Sequence, residues 1–356
     1  MELVAVQRVP PEVRGTKLRW RTGVVAISCL LAAGLAGILI GPVRLSPVAV
    51  GQELLDRLPL IHLPSDLSPR EQAILWQLRM PRVALGGLVG AALAMAGAAY
   101  QGVFRNPLVD PYLLGVAAGA GLGVTLALVY FPGQAGWPID PLPIAAFTGA
   151  LIGVALTYVL GRSNGKSRTT VTLVLAGVAM ASFFTAVQIY FQQRHADTFR
   201  EVYVWILGTL ATSGWRQVIL ILPYVAASGI ALILCRRLLD VMSVGDEEAD
   251  TLGIRAARVR LAVVAAATLG TAAAVAVSGL IGFVGIIVPH TMRLLFGESY
   301  RVIVPLSIIF GAAFLVLADL MARTALTPTE IPLGVVTAVV GAPFFLLVLR
   351  RARRVG

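Results

Sequence analysis

The stretch VALGGLVGAALAMAGAAYQGVF, from Val83 to Phe104, contains no charged side chain. A bilayer core takes roughly 20 apolar residues per helix. Within hydrocarbon every backbone N–H and C=O must be paired, and an apolar run of this length does so as a helix. Similar runs recur, separated by short charged segments, at about 22–42, 112–131, 142–161, 170–192, 216–235, 260–277, 280–296, 302–320 and 332–349. The chain therefore reads as an all-α integral membrane protein of about ten spans, with a shorter apolar stretch at 202–213 packed at one surface. Composition agrees: 58% of the residues are hydrophobic and 13% charged, against roughly 25% charged in a soluble domain.

Charge sets the expected orientation. Lys and Arg collect in cytoplasmic loops, and both ends are basic, with Arg14, Lys17, Arg19 and Arg21 before the first span and Arg350, Arg351, Arg353 and Arg354 after the last. With both ends in the cytoplasm, the whole net charge of +11 falls on that side and the outer side is neutral. The expected organisation is a basic N-terminal segment (1–21), one transmembrane domain (22–349) with a loop at about 236–260, and a basic tail (350–356). The first span is read as retained rather than cleaved. The basic charge is spread over helix ends without a basic–aromatic pattern, which argues against nucleic acid. Cys29 and Cys235 both fall in apolar spans and suggest neither a disulfide framework nor a metal site.

Small residues recur every fourth position at Gly86, Gly90, Ala94, Ala98 and Gly102, and again at Gly115, Gly119 and Gly123. Such stripes let helix backbones approach closely in lipid, and packing is favoured over a substrate path as their cause. Prolines at Pro81, Pro107, Pro111, Pro289, Pro332 and Pro343 are expected near span ends. In Arg105-Asn106-Pro107-Leu108-Val109-Asp110-Pro111 two of them make a rigid, non-helical turn. In the loop after the sixth span, Gly245-Asp246-Glu247-Glu248-Ala249-Asp250-Thr251-Leu252-Gly253 reads as a short helix with acids at its start and Gly at its end. Ala249 and Leu252 are placed on one small apolar face toward a partner.

Eight segments in order carry a resemblance: WQLRMPR (Trp76–Arg82), Gly90–Gly121, LVLAGVAM (Leu173–Met180), VWILGTLATSGW (Val204–Trp215), GDEEADTLGI (Gly245–Ile254), SGLIGFVGIIVPHTMRL (Ser278–Leu294), ADLMAR (Ala318–Arg323) and EIPLGVVTAVVGAPFF (Glu330–Phe345). Together they resemble the permease subunits of type II ABC importers (FecCD-type) for iron–siderophores, haem and vitamin B12. The resemblance implies the type II importer permease fold and a location in the cytoplasmic membrane. It also implies a second permease copy or paralogue, two ATP-binding subunits and an extracytoplasmic substrate-binding protein as partners.

By that resemblance Gly245, Asp246, Glu247, Glu248, Ala249, Leu252 and Gly253 form the helix that docks on the ATP-binding subunit. Arg79, Arg82 and Arg323 dock the binding protein, although Asp319 stands four residues before Arg323 and is placed to pair with it. Asn106, Leu108, Thr170, Val171 and Thr172 form a cytoplasmic gate. No cofactor is expected in this chain: it lacks a GxxxxGK[ST] loop, so ATP and Mg would be bound by the partner ATPase. His290 is expected as a structural contact rather than a haem or metal ligand.

The implied substrate is a metal chelate, with iron–siderophore favoured over cobalamin or haem. Two other classes compete. An ion-gradient-driven secondary transporter would carry ionisable residues deep in its spans, whereas Asp319 lies close to a span end. An intramembrane enzyme would need a motif such as HExxH, which is absent. The long segment Val43–Pro81 has no expected role.

Overall fold

A computed structural model describes residues 18–57, 65–131, 140–161, 170–211 and 214–352. The basic segment before residue 18 and the end of the basic tail, with Arg353 and Arg354, lie outside them. Helices α1 (Trp20–Leu39), α4 (Met80–Phe104), α5 (Val116–Tyr130), α6 (Pro141–Leu160), α7 (Thr170–Arg194), α9 (Trp215–Met242), α11 (Ala256–Ser278), α12 (Val284–Phe296), α13 (Tyr300–Thr324) and α14 (Leu333–Ala352) fall on the ten expected runs. Seven of the helical stretches are long and apolar enough to cross a bilayer; α5, α12 and the apolar part of α14 are shorter. The remaining helices, α2 (Pro47–Asp56), α3 (Pro69–Ala73), α8 (Phe199–Ile206) and α10 (Asp246–Thr251), lie in the connections.

The expected stretch 83–104 forms the hub. Every residue of α4 from Val89 to Phe104 is buried, and the helix packs against α9, α11, α12 and α13. The four-residue stripe explains how. A Cβ on Gly90 would stand 2.2 Å from the Gly311 carbonyl oxygen of α13, and one on Gly97, beside the stripe rather than in it, would stand 2.0 Å from that of Gly285 in α12. Backbone therefore lies on backbone, and association rests on close packing, since lipid tails are as apolar as leucine. A second group repeats the device: Gly119 and Gly123 of α5 lie against Gly149 and Ala145 of α6. The packing reading of both stripes holds.

Around this core, α1, α6, α7 and α9 turn large apolar side chains outward, among them Leu31, Ile152, Leu175 and Leu234. Exposed apolar surface of that extent marks a partner or membrane. Two proline expectations need correction. Pro289 and Pro343 lie inside α12 and α14, not at their ends. Neighbouring side chains can satisfy the carbonyl that a membrane-helix proline frees. Pro81 instead follows a π-helical turn, Ile74–Arg79, that runs directly into α4.

The described residues between α1 and α4 fold into a buttress. Leu45, Ala49, Val50, Leu67 and Leu75 make a small core of their own. Ser68 and Glu71 form a reciprocal capping box at the start of α3, and the hydroxyl bond from Ser68 holds the Glu71 carboxyl below its ordinary pKa. Buried Glu53 accepts hydrogen bonds from Trp76 Nε1 at 2.9 Å and Gln72 Nε2 at 3.3 Å.

Candidate functional site

At one end of the bundle, α10 lies between α9 and α11. Gly245 precedes it at φ +150°, where an added Cβ would collide with the Glu248 carboxylate. Three acids occupy its first turn, where the helix dipole favours negative charge. Its far end closes as a Schellman turn: Gly253 N–H donates to Asp250 O and Ile254 N–H to Ala249 O, with Gly253 left-handed at φ +79°. The expected short helix with Gly just past its end is thus observed.

Its faces differ from expectation. Ala249 is fully buried against Met242 and Ala256, whereas Leu252 is 66% exposed. The apolar face foreseen for both is divided: Ala249 packs inward, and only Leu252 points away with Glu247, Glu248 and Gly253. Asp246 also turns inward. Its Oδ2 is 2.5 Å from Arg260 Nη2 of α11, and its Oδ1 is 3.8 Å from Arg105 Nη2 at the end of α4. Asp250 Oδ1 accepts from Ala256 N–H at 3.1 Å, tying α10 to the start of α11.

The turn after α4 begins with a residue in an uncommon conformation. Arg105 is left-handed (φ 50°, ψ 35°) at the C′ position of a second Schellman turn, with Asn106 N–H donating to Gln101 O. For a non-glycine residue that conformation costs about 1–2 kcal/mol. Asn106 Oδ1 then accepts from Leu108 N–H at 3.0 Å, and Asp110 Oδ1 from Tyr112 N–H at 2.8 Å. Burial lifts the Asp110 carboxyl to about 6, against a smaller opposing effect of that Tyr112 bond. Tyr112 lies in a short 3-10 helix, Pro111–Leu114. Its hydroxyl donates to Ile281 O and accepts from Ile281 N–H, both at 3.1 Å, satisfying the backbone between α11 and α12. The expected gate residues thus sit on a braced turn. Thr170 opens α7, its side chain outside those described; Val171 is exposed and Thr172 half-buried. The two gate elements meet further along, where Gly177 of α7 lies against Leu113.

The three arginines expected to dock a partner are engaged inside the chain. Arg82 donates to both Asp319 oxygens, at 2.8–3.0 Å, and to both Glu330 oxygens at 2.9 Å. Arg323 is 4% exposed, donates to Gly37 O and lies 3.5 Å from Asp319, the pairing expected from their spacing. Arg79, also 4% exposed, donates to Ile38 O at 2.7 Å, Leu39 O at 2.9 Å and Val43 O. Planar guanidinium forks suit such convergent acceptors. Glu330, in the α13–α14 connection, is the more open acid of this cluster, and the Arg82 bond holds its carboxyl below its usual pKa.

His290 is buried edge-on to Phe344. α7 runs to Arg194, so His195 also ends a long apolar helix, with Nδ1 3.2 Å from Phe191 O. Among the described residues no three His, Cys, Asp or Glu side chains converge as a metal site. Sequence reasoning missed Arg105, Arg260 and Tyr112. The only signal for Arg105 was a basic residue in the position where helices usually end on glycine.

Comparison with known proteins agrees with this architecture. The FecCD transport family matches residues 29–351. The cobalamin import system permease protein BtuC of Halobacterium salinarum is 42% identical, over 78% of this chain and 74% of its own. The Fe(3+)-citrate import system permease protein YfmD of Bacillus subtilis is 40% identical, over 80% of this chain and 83% of its own. A solved structure, an inward-facing conformation of a transporter assigned to the metal-chelate ABC type, superposes with a TM-score of 0.80 at 28% identity. It covers 94% of this chain and 100% of that one. With its helical hub, its short acidic helix and a match across nearly its whole length, the chain belongs to the FecCD transport family of multi-span membrane permeases.

Proposed function

We propose that this chain forms half of the path of an ATP-driven importer that carries a metal chelate across the cytoplasmic membrane, with iron–siderophore as the favoured cargo. The observation that carries the reading is α10: a short helix with acids and Leu252 outward and its inner face held against α9 and α11. A rigidly mounted helix of this kind suits docking into a groove of an ATP-binding subunit, which would bind ATP and Mg and carry out hydrolysis. In this arrangement all ten long apolar segments cross or enter the membrane and both termini are cytoplasmic. The exposed apolar side of α7, with Val171, Leu175 and Val178, faces a second permease copy across the path, and residues 106, 108 and 170–172 line its inner gate.

At the opposite end, the Arg82–Glu330 pair offers the surface a binding protein meets, with Arg79 and Arg323 holding that surface from behind. Asp319 is neutralised there by Arg82 and Arg323, so it is poorly suited to carrying protons or cations as a secondary transporter would require.

The test reconstitutes the permease with its ATP-binding subunits and binding protein in proteoliposomes. Iron-55 ferric hydroxamate, ferric citrate, haem and cobalamin are then offered in turn. ATP-dependent accumulation of a ferric chelate is expected. Accumulation of cobalamin or haem alone would move the cargo within the class, and uptake driven by an ion gradient without ATP would overturn the reading.

A further inference from the structure

We infer that Asp246 and Arg105 form the link through which movement of α10 reaches the NPLVDP turn, and that both are positioning residues for the gate. The inference rests on the proposed roles of α10 and of that turn. The Asp246 carboxylate has two differently held sides. Oδ2 is clamped at 2.5 Å by Arg260, whose side chain is nearly buried in α11. This side joins α10 to α11, and Asp250 reinforces the union through Ala256 N–H. Oδ1 faces Arg105 at 3.8 Å; this oxygen is shut off from solvent and accepts no hydrogen bond, while the Arg105 side chain is 41% exposed. At that length the pair is beyond hydrogen-bond reach and leaves the buried oxygen unsatisfied, so as it stands it contributes little to stability. It can shorten, lengthen or break as α10 moves without unfolding anything.

Arg105 adds an independent observation. It holds the left-handed C′ position that glycine takes at least cost. The backbone alone favours glycine here, so the arginine side chain is the feature with something to do. Backbone outliers of this kind point toward function rather than away from it. Arg105 is followed directly by Asn106, with Leu108 two residues further on. That turn is braced by the Asn106–Leu108 bond, the Asp110 cap and the Tyr112–Ile281 pair. A displacement applied at Arg105 is therefore passed to the turn as a unit. No other side-chain contact described above joins α10 to the end of α4.

The experiment uses the permease–ATPase complex in proteoliposomes, with Cys29 and Cys235 replaced by serine and Leu108→Cys as a reporter. The probe is a membrane-impermeant maleimide, and the readout is the change in its reaction rate at position 108 when ATP and vanadate are added. Thermal midpoint and ATP-binding-subunit affinity are measured in parallel. Arg105→Gly is expected to keep or raise the thermal midpoint and to leave subunit affinity within about two-fold, while the ATP-dependent rate change falls at least five-fold. Arg105→Gln and Asp246→Asn should lose it likewise, and Arg105→Lys should retain at least half. A full ATP-dependent change in both Arg105→Gly and Arg105→Gln overturns the link. Leu252→Arg separates the two ideas. If it abolishes subunit binding while the Arg105 variants respond normally, the coupling reading stands and the link falls. If Leu252→Arg binds and responds as wild type, the coupling reading itself fails, and the link with it.

Discussion

Ala249 and Leu252 are three residues apart on one short helix, yet the structure gives them opposite environments. Leu252→Arg should leave the thermal midpoint within the range of ordinary surface changes, about 0.5 kcal/mol, and weaken ATP-binding-subunit affinity at least ten-fold in a pull-down titration. Ala249→Arg should instead cost roughly 3 kcal/mol or more, because a charge would be placed without a partner against Met242 and Ala256. Unfolding in detergent measures this, and a stable Ala249→Arg variant would refute the burial. Asp110 supplies a pH dependence. The folded protein holds its proton up to about pH 6, against 3.8 ordinarily, so the folded state binds more protons than the unfolded one in that window. Stability should therefore fall as pH rises from about 4 to 6 and change no further above it. Asp110→Asn, which keeps an oxygen for Tyr112 N–H, should flatten the profile; an unchanged slope would assign it to another group.

At the scale of elements, the interhelical contacts depend on absent side chains. Gly90→Val would drive methyl groups into the Gly311 carbonyl and Leu315. Over-packing of this kind costs about 1–3 kcal/mol, and the thermal midpoint should drop accordingly. The same substitution at Gly51, which has nothing within 4 Å, should be nearly silent. In the buttress, Ser68→Ala removes half of the capping box at α3 and should cost about 1 kcal/mol. The four-residue stripes were legible because their period matches a helix face, whereas the partner of each stripe was not. Nothing local in Gly90 indicates that Gly311, rather than another glycine, lies opposite. The buttress was illegible for a related reason: its core draws Leu45, Leu67 and Leu75 from three separate pieces of chain, with no single period to read.

For the whole molecule, the two ends of the bundle should be on opposite sides of the membrane. A cysteine at Glu71 should react with an impermeant maleimide from outside intact cells, and one at Leu252 only after permeabilisation. The reverse pattern would invert the proposed orientation. Charge asymmetry carried this expectation because Lys and Arg are counted along the chain, with no need to know which helices touch.

What the amino-acid order determined by itself was the set of ten apolar helices, the short acidic helix with its closing glycine, and membership of a permease family through motifs in register. These are properties of contiguous stretches: a run of apolar residues, a dipole-matched turn, a regular spacing of small side chains. Apart from the i,i+4 pair of Asp319 and Arg323, the tertiary structure decided the direction of these polar groups. Arg79, Arg82 and Arg323, read as outward-facing, spend their guanidiniums on carbonyls and acids from α1, α13 and the α13–α14 connection. Asp246 joins Arg105 across an interval that no local pattern spans. The physical reason is the same in each case. A charged group near a low-dielectric core must find its partner wherever the packed helices place one, and that placement is settled only when the glycine-lined faces have closed on one another.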